Sequence, residues 1–447
     1  MSDLLGIGAS GVRAYQSALT TVSENIANAG TAGYARRATT LSELSSATGG
    51  FTRRIDEGNG VLLSGVSRAA DQFRSADVRA AGADLARSET AIGWLDRIET
   101  TFNGTQLGTR LTSFFNATKA IAADPSATTP RQALLESATA VATAFAGTGK
   151  ALDAITIELD AAGTDATASL DALGASLGKI NDALGRAQPN TAGAAQLLDQ
   201  RDQLLEQMSA ISDVSVTTDA AGRSTVRLGN ATGPVFVAGS EAGHVSYARN
   251  AEGAVSFSVQ RGDTISSLSP GGGVLAGVAE GAARLVAARD QLNTIAAGFV
   301  DGVNAVQSGG EDLNGKSGSE MFAVGASPSD ISLALTDPRG IAAASTGGGS
   351  RNNGNIAAFD AVRVTGKAEA AVTALVAGNA SALNARKSVA EAQSAIRDTA
   401  VNARDTVSGV NLDTEAVDLL RFQQAYQASS RIIQVARETL QSLLEIR

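Results

Sequence analysis

Residues 408–447 read SGVNLDTEAVDLLRFQQAYQASSRIIQVARETLQSLLEIR, and apolar side chains recur there in two series with a period of seven. The first series is Leu412, Leu419, Tyr426, Ile433 and Leu440, and the second, three residues further on, is Phe422, Ser429, Ala436 and Leu443. Alternating steps of three and four residues are typical of a coiled-coil seam. A helix with such a one-sided stripe must bury it, so the segment predicts a helical partner.

The first thirty residues have the same spacing. Leu5, Val12, Leu19 and Ile26 are seven residues apart, and each is followed three positions later by one of Gly8, Tyr15, Val22 and Ala29. Matched periods at the two ends predict a coiled coil formed by the N- and C-terminal segments. The alternative is that two unrelated surface helices pack on separate domains.

Composition limits the class of protein. The chain has 447 residues, so we expect at least two domains. Only 4% of the residues are aromatic, which favours thin, helix-rich packing. The net charge of -9 argues against nucleic acid or an anionic membrane as a partner. The absence of cysteine excludes disulfides and thiol chemistry.

Targeting signals are not evident. The first residues are acidic and glycine-containing rather than basic and apolar, so no cleavable signal peptide is expected. No apolar run is long enough for a transmembrane helix, and we expect no membrane insertion. These criteria alone would indicate a cytoplasmic protein.

The remaining periodicity predicts a mainly α fold with a β-rich insert. Heptad-like helices are expected over most of 70–211 and 275–405, with the longest seam from Leu152 to Leu184, and short alternating strands lie between them. The order is nearly palindromic, which predicts a nested architecture with paired terminal coiled-coil helices, an inner long-helix domain and a small outer β unit. The predicted domains are 1–35 with 408–447; 36–211 with 274–407, including an extended connector at 36–69; a β-rich unit at 212–273; and a short flexible insert at 327–351.

No residue pattern rises to a catalytic, cofactor-binding or metal site. Residues 310–317, GEDLNGKS, satisfy the phosphate-loop pattern G-x-x-x-x-G-K-S, but a helix rather than a strand precedes them and no helix is expected after Lys316. We interpret them as a polar turn. Asp312, Asn314 and Ser317 lack the final Glu of a calcium loop. The single histidine, His244, has no plausible ligand spacing around it.

Both ends carry recognisable motifs. Residues 25–36, NIANAGTAGYAR, resemble the N-terminal signature of flagellar rod, hook and junction proteins, with Gly30 and Ala32 in place of the usual Asn and Pro. Residues 408–428, together with LLDQRDQLL at 197–205 and VNAVQ at 303–307, resemble the flagellar hook-associated protein 1 (FlgK) family. The matching motif residues are Asn25, Asn28, Gly33, Tyr34, Asn411, Gln423 and Gln424.

This resemblance implies a non-enzymatic structural protein of the bacterial flagellum that polymerises on the hook tip and adapts it to the flagellin filament. It implies four partners: further copies of the chain, the hook protein, the third hook-associated protein and an export chaperone. It also implies an extracellular location reached by type III export without a cleaved signal, which revises the cytoplasmic expectation. The terminal helices would be disordered before export and fold on assembly.

The side chains expected to form the assembly seam are Leu5, Val12, Tyr15, Leu19, Val22, Ile26, Leu412, Leu419, Phe422, Tyr426, Ile433, Leu440 and Leu443. Three rivals remain: a hook or rod protein, a nucleotide-binding enzyme and a cytoplasmic coiled-coil scaffold. The long seam from Leu152 to Leu184 argues against the first, because hook and rod proteins are β-rich between their termini.

Overall fold

The computed structural model describes residues 2–43 and 60–445, and the fold is mostly helical. The helices are α1 (Ser2–Ala27), α2 (Gln72–Thr105), α3 (Leu107–Ala123), α4 (Thr128–Arg186), α5 (Ala192–Ile211), α6 (Gly273–Ser308), α7 (Ile356–Gly366), α8 (Ala368–Ser408) and α9 (Leu412–Glu445), with a 3₁₀ turn at Pro338–Gly340. The strands are β1 (Arg37–Glu43), β2 (Val61–Arg68), β3 (Val214–Thr218), β4 (Ser224–Leu228), β5 (Val235–Ala238), β6 (Glu241–Ala242), β7 (His244–Arg249), β8 (Val255–Arg261), β9 (Thr264–Leu268), β10 (Gly310–Glu311), β11 (Phe322–Val324), β12 (Ile331–Leu333) and β13 (Ala344–Ser345).

Local chemistry explains where several helices begin and end. The Asp71 carboxylate accepts hydrogen bonds from the backbone N–H groups of Phe73 and Arg74, which caps α2. Thr191 caps α5 in the same way. Gln106 takes a left-handed conformation between α2 and α3, and Lys367 does so between α7 and α8. These left-handed residues let consecutive helices change direction without a long loop.

The inner helical body is formed by α2, α4, α6 and α8, with α3, α5 and α7 around them. Small residues on α6 allow α2 to approach closely: a Cβ on Gly277 would lie 2.8 Å from the carbonyl oxygen of Arg87. One turn later, Gly281 lies against the indole ring of Trp94. Helices that meet at glycines bury backbone and ring surface without large aliphatic side chains, consistent with the low aromatic content.

A cluster of phenylalanines fills one end of this body. Phe299 of α6 lies at the centre, and its ring centroid is 5.3 Å from those of Phe114 and Phe322 and 5.9 Å from that of Phe145. These rings are fully buried or nearly so. Burying aromatic rings in edge-to-face and stacked contacts contributes both area and specific geometry, so this cluster fixes how α3, α4 and α6 meet.

The strands between α5 and α6 form two antiparallel sheets, one in the order β3-β4-β5-β6 and one in the order β7-β8-β9. Both lie against the second half of α4, where glycines again make room. The Tyr247 ring packs on Gly163 and the Phe236 ring packs on Gly174. Strand β9 follows a turn at Gly262, which has a φ of +57°.

The described part of residues 36–69, the expected connector, contains one pair of strands. Strands β1 and β2 pair antiparallel, from Arg37 opposite Arg68 to Glu43 opposite Val61. The connecting residues 44–59 lie outside the described residues. The backbone N–H of Val66 donates to the carbonyl oxygen of Asn190, which ties this hairpin to the inner body.

The segment 327–351, expected to be a short flexible insert, has several side chains that pack on the inner body. Ile331, Leu335 and Ile341 are buried, and β12 and the 3₁₀ turn pack on α4. The fully buried Arg131 of α4 donates to the carbonyl oxygens of Pro338 and Ile341, and burial lowers its pKa. These polar and Gly-rich residues looked mobile because the partners that hold them are about two hundred positions away.

None of the helices in the described ranges combines the length and the apolar character needed to span a membrane.

Candidate assembly interface

The two ends of the chain meet as an α1–α9 pair, which we call the terminal pair. Glycines of α1 lie at the contact: a Cβ on Gly8 would be 2.7 Å from Cγ1 of Ile433, and one on Gly11 would be 2.6 Å from Oγ of Ser429. Ser429 is 7% exposed. The helices are therefore closest where the side chains are smallest.

Further along the pair, an aromatic contact replaces the glycines. The buried side chains Ala18, Val22 and Phe422 form a small apolar cluster. The ring centroids of Tyr15 and Phe422 are 6.4 Å apart. This cluster is separate from the core of the inner body, so the terminal pair has its own packing.

On each helix, one of the two predicted rows lies in the contact and the other lies beside it. On α1 the row Gly8, Tyr15 and Val22 is shared, but the second buried row is Gly11, Ala18 and Asn25. In the other predicted row, Leu5, Val12 and Leu19 are half-buried and Ile26 is 37% exposed. The large side chains flank the contact, because the close approach needs Gly and Ala at its centre.

On α9 the buried row is Glu415, Phe422, Ser429 and Ala436, again seven residues apart. Of the other predicted seam residues, Leu419, Tyr426 and Ile433 are half-buried, whereas Leu412 is 54% and Leu440 37% exposed. Leu412, Leu440 and Ile26 therefore lie outside the buried centre of the α1–α9 contact. Leu443 belongs to α9, but its side chain lies outside the described residues.

A buried carboxylate closes the terminal pair at the start of α9. Glu415 is fully buried, and its Oε1 accepts from Nε of Arg36 at 2.5 Å. Its Oε2 accepts from Nδ2 of Asn25 at 3.0 Å. Asp418 lies 3.4 Å from the same guanidinium. A buried charge needs a charged or hydrogen-bonded partner, and both partners of Glu415 come from the N-terminal segment of the chain.

Asn25 connects these groups to the connector. Its Oδ1 accepts from the backbone N–H of Arg37 and from the Tyr34 hydroxyl, at 3.0 and 2.8 Å, and its Nδ2 also donates to the carbonyl oxygen of Arg37. Burial raises the pKa of Tyr34, against the effect of nearby Arg37. All polar atoms of the Asn25 amide are used, and a carboxylate or an aliphatic side chain could not replace it.

A second ionic cluster, which we call the joint, connects the terminal pair to the inner body. Asp199 of α5 accepts from Arg37 at 3.1 Å and from Arg68 at 2.6 Å. Arg68 also donates to Asp202 at 2.7 Å. Burial by itself raises the pKa of Asp202, but Arg201 and Arg68 outweigh it and hold that pKa below its ordinary value. The motif LLDQRDQLL thus supplies the inner half of the joint.

The remaining motif residues have structural roles at turns and caps. Gly33 has a φ of +75°, and a Cβ there would be 2.6 Å from the side chain of Gln203. The Asn28 amide donates to the carbonyl oxygen of Glu24. Asn411 caps α9 by accepting from the N–H groups of Asp413 and Thr414. Gln423 and Gln424 are exposed on α9 and do not contribute to the α1–α9 contact.

The apparent phosphate loop is closed by its own acid. Oδ1 of Asp312 accepts from the backbone N–H groups of Asn314 and Lys316, at 2.8 and 2.9 Å. Strand β10 pairs with β13, and no helix begins at Lys316. The N–H groups that would hold a phosphate are used by a carboxylate, as expected of a polar turn.

Sequence periodicity missed Gly11, Glu415 and the Arg36–Arg37 pair as contact residues. The seven-residue spacing between Glu415 and Phe422 was the available signal. An acidic residue is ordinarily expected to face solvent, so the spacing alone did not indicate that Glu415 is buried. Only the fold shows that Arg36 and Asn25 are there to receive it.

Two family descriptions match the chain. That of the flagellar hook-associated protein FlgK helical domain matches residues 95–322, just over half of the chain. The chain belongs to the FlgK family. The description of the flagellar basal body rod FlgEFG protein C-terminal region matches residues 405–446, which contain α9.

Individual FlgK relatives agree with this assignment. Flagellar hook-associated protein 1 of Salmonella typhimurium is 30% identical over 345 residues, covering 73% of this chain but 60% of the relative's length. That of Bacillus subtilis is 24% identical, with 96% of this chain and 95% of the relative aligned. The solved flagellar hook junction protein FlgK of Burkholderia pseudomallei is similar in fold, with a TM-score of 0.50 and 20% identity over 56% of this chain and 47% of that one.

Proposed function

We propose that this chain is a structural component of the bacterial flagellum, a hook–filament junction protein that polymerises on the hook tip and adapts it to the flagellin filament. The observation that carries the proposal is the terminal pair. Two helices from opposite ends of the chain meet through glycines and a buried Glu415, within a family whose members are flagellar hook-associated proteins. The proposal includes no catalytic step and no cofactor.

The proposed assembly has three layers. The terminal pair lines the central channel, the inner helical body forms the next shell, and the β unit lies outward. The outer face of α9 supports this arrangement, since Val417, Leu420 and Val435 are 65%, 59% and 60% exposed. Apolar side chains that are exposed in one subunit are suited to burial between subunits. The layered contacts would adapt two helical lattices of different mechanical properties.

The proposed partners are further copies of the chain in a ring or helical layer, the hook protein below, the third hook-associated protein above and an export chaperone before assembly. The proposed route is type III export to the extracellular flagellum without a cleaved signal. A terminal pair with only a small core of its own is compatible with that route, because such helices are marginal in water until they are packed.

Electron microscopy of a strain that lacks this chain tests the proposal. We expect hooks without filaments, and flagellin released into the medium. Re-expression of the chain should restore the filaments. Filaments of normal number and length on the deletion strain would contradict the proposed function, and absence of the chain from sheared flagella would favour a cytoplasmic scaffold.

A further inference from the structure

A cavity of about 750 Å³ lies where the inner body, the connector and the β unit meet. The first turns of α2, the end of α4, one side of α5 and the turn between β3 and β4 form its walls. Three arginines line it, namely Arg68, Arg79 and Arg201. Two of them have carboxylate partners, since Arg68 and Arg201 both donate to Asp202.

Arg79 is the exception. It is half-buried, and among residues 2–43 and 60–445 its guanidinium has no hydrogen bond and no ion pair. The two acids whose charges affect its pKa are already paired, Asp202 with the other two arginines and Glu206 with Arg404. Burial lowers the pKa of Arg79, and the nearby charges of Asp202 and Glu206 oppose this shift without cancelling it. A guanidinium held in this way is a site for an anion.

Apolar groups accompany this charge. Phe73 lines the cavity two residues after the α2 cap residue Asp71, and it is 83% exposed, the most exposed of the large apolar side chains described. Leu184 and Leu205 line the interior and are buried. Aromatic and arginine side chains around one pocket are typical of the centres of protein interfaces.

We propose that this cavity binds a protein segment that presents a carboxylate next to an apolar side chain, with Arg79 holding the carboxylate and Phe73 covering the apolar group. The chemistry of the site follows from the cavity itself. That the segment belongs to a neighbouring subunit of the flagellum rests on the proposed function. Arg79 can form two parallel hydrogen bonds to a carboxylate. A free phosphate or chloride ion carries no apolar group that could contact Phe73.

Titration of the purified full-length chain with 4-phenylbutyrate and with 4-phenylbutyramide tests the chemistry. The two probes share an apolar body and differ in charge. We expect the carboxylate to bind about tenfold more tightly than the amide, and Arg79→Gln to remove the difference. Phe73→Ser, at a side chain too exposed to affect folding, should weaken both probes. Arg74→Gln, an exposed arginine on the same helix, is the control and should change nothing.

Equal binding of the two probes, or binding that Arg79→Gln leaves intact, would overturn the proposal. A photo-crosslinking residue at position 73 in assembled flagella then identifies the occupant, with one at the exposed Val364 as control. A crosslink from position 73 to an acidic, apolar segment of another copy or of another flagellar protein supports the proposal. A crosslink only within the same subunit shows that no partner fills the cavity. The deletion strain tests the proposed function separately.

Discussion

Gly11 controls how closely the two ends of the chain can pack. Its missing side chain leaves space that Ser429 occupies, and a Cβ there would be only 2.6 Å from the serine oxygen. The Ser429 side chain is short, and its Cβ would also lie only 3.1 Å from the added Cβ, so Ser429 has little freedom to move away. The identity of this one residue therefore sets the separation of α1 and α9.

Replacing Gly11 by Val should open the terminal pair, because the added methyl groups overlap Ser429. We expect the free energy of local opening of α1, measured by hydrogen exchange, to fall by about 1–3 kcal/mol. Gly6→Val is the matched control, since nothing lies within 4 Å of a Cβ at Gly6. Equal protection of α1 in the two variants would show that the helices are not held at Gly11.

Asn25 is a motif residue whose role is structural rather than catalytic. One amide group bonds the first strand of the connector, the Tyr34 hydroxyl and the buried Glu415. Its two ends act as donor and acceptor at once, which Asp or Leu cannot do. The motif around it is therefore a folding element of the terminal pair.

At the scale of the element, α9 has two apolar faces with different surroundings. The inner row, Phe422, Ser429 and Ala436, is buried against α1, whereas Val417, Leu420 and Val435 face outward. A helix that is apolar on both sides needs a second surface to cover it. In the proposed polymer, neighbouring subunits provide that surface.

A charge on the inner face should separate α9 from α1 without affecting the inner body. Ile433 packs on Gly8, so Ile433→Asp buries a carboxylate with no partner, and we expect loss of α1 protection and loss of filaments. Thermal unfolding of the inner body should be unchanged. Val435→Asp is the control for pairing, since that side chain is 60% exposed and α1 should stay protected. Normal filaments on cells with Ile433→Asp would refute the assembly role of the pair.

At the scale of the whole molecule, the joint determines how the terminal pair is held on the inner body. Arg37 and Arg68 of the connector reach Asp199 and Asp202 of α5, and the backbone of Arg36 also bonds the carbonyl oxygen of Ser408 at the end of α8. The connection is ionic rather than apolar. It should therefore respond to pH more than the two cores do.

Acid should weaken the joint. The pKa of Asp202 is depressed in the fold, so its contribution is complete above the ordinary value of 3.8 and is lost as the pH falls below that value. Asp202→Asn should cost about 1–3 kcal/mol of unfolding free energy at neutral pH and flatten the decline of stability below about pH 4. Asp77→Asn, at an exposed carboxylate on α2, should do neither. Denaturant unfolding across that pH range measures both.

Much of this architecture could be predicted from local pattern. Heptads in residues 5–29 and 412–443 indicated the two terminal helices, and alternation at 214–259 indicated most strands of the β unit. The motifs around Asn25 and Asn411 indicated the family. Each of these signals lies within about forty consecutive residues, where periodicity and turn chemistry act.

Only the tertiary structure decided which row of α1 lies at the centre of the contact, that Glu415 is buried, and that Arg79 has no partner among residues 2–43 and 60–445. A heptad identifies a helix face but allows either of two adjacent rows to be central, and the choice depends on which row lets the partner backbone approach. Here the closest approach is between Gly11 of α1 and Ser429 of α9, which are more than four hundred residues apart in the chain. The surroundings of Glu415 and Arg79 are likewise formed by residues that are distant in the sequence. The sequence determined the helices and their motifs, and three-dimensional packing determined which of their side chains meet.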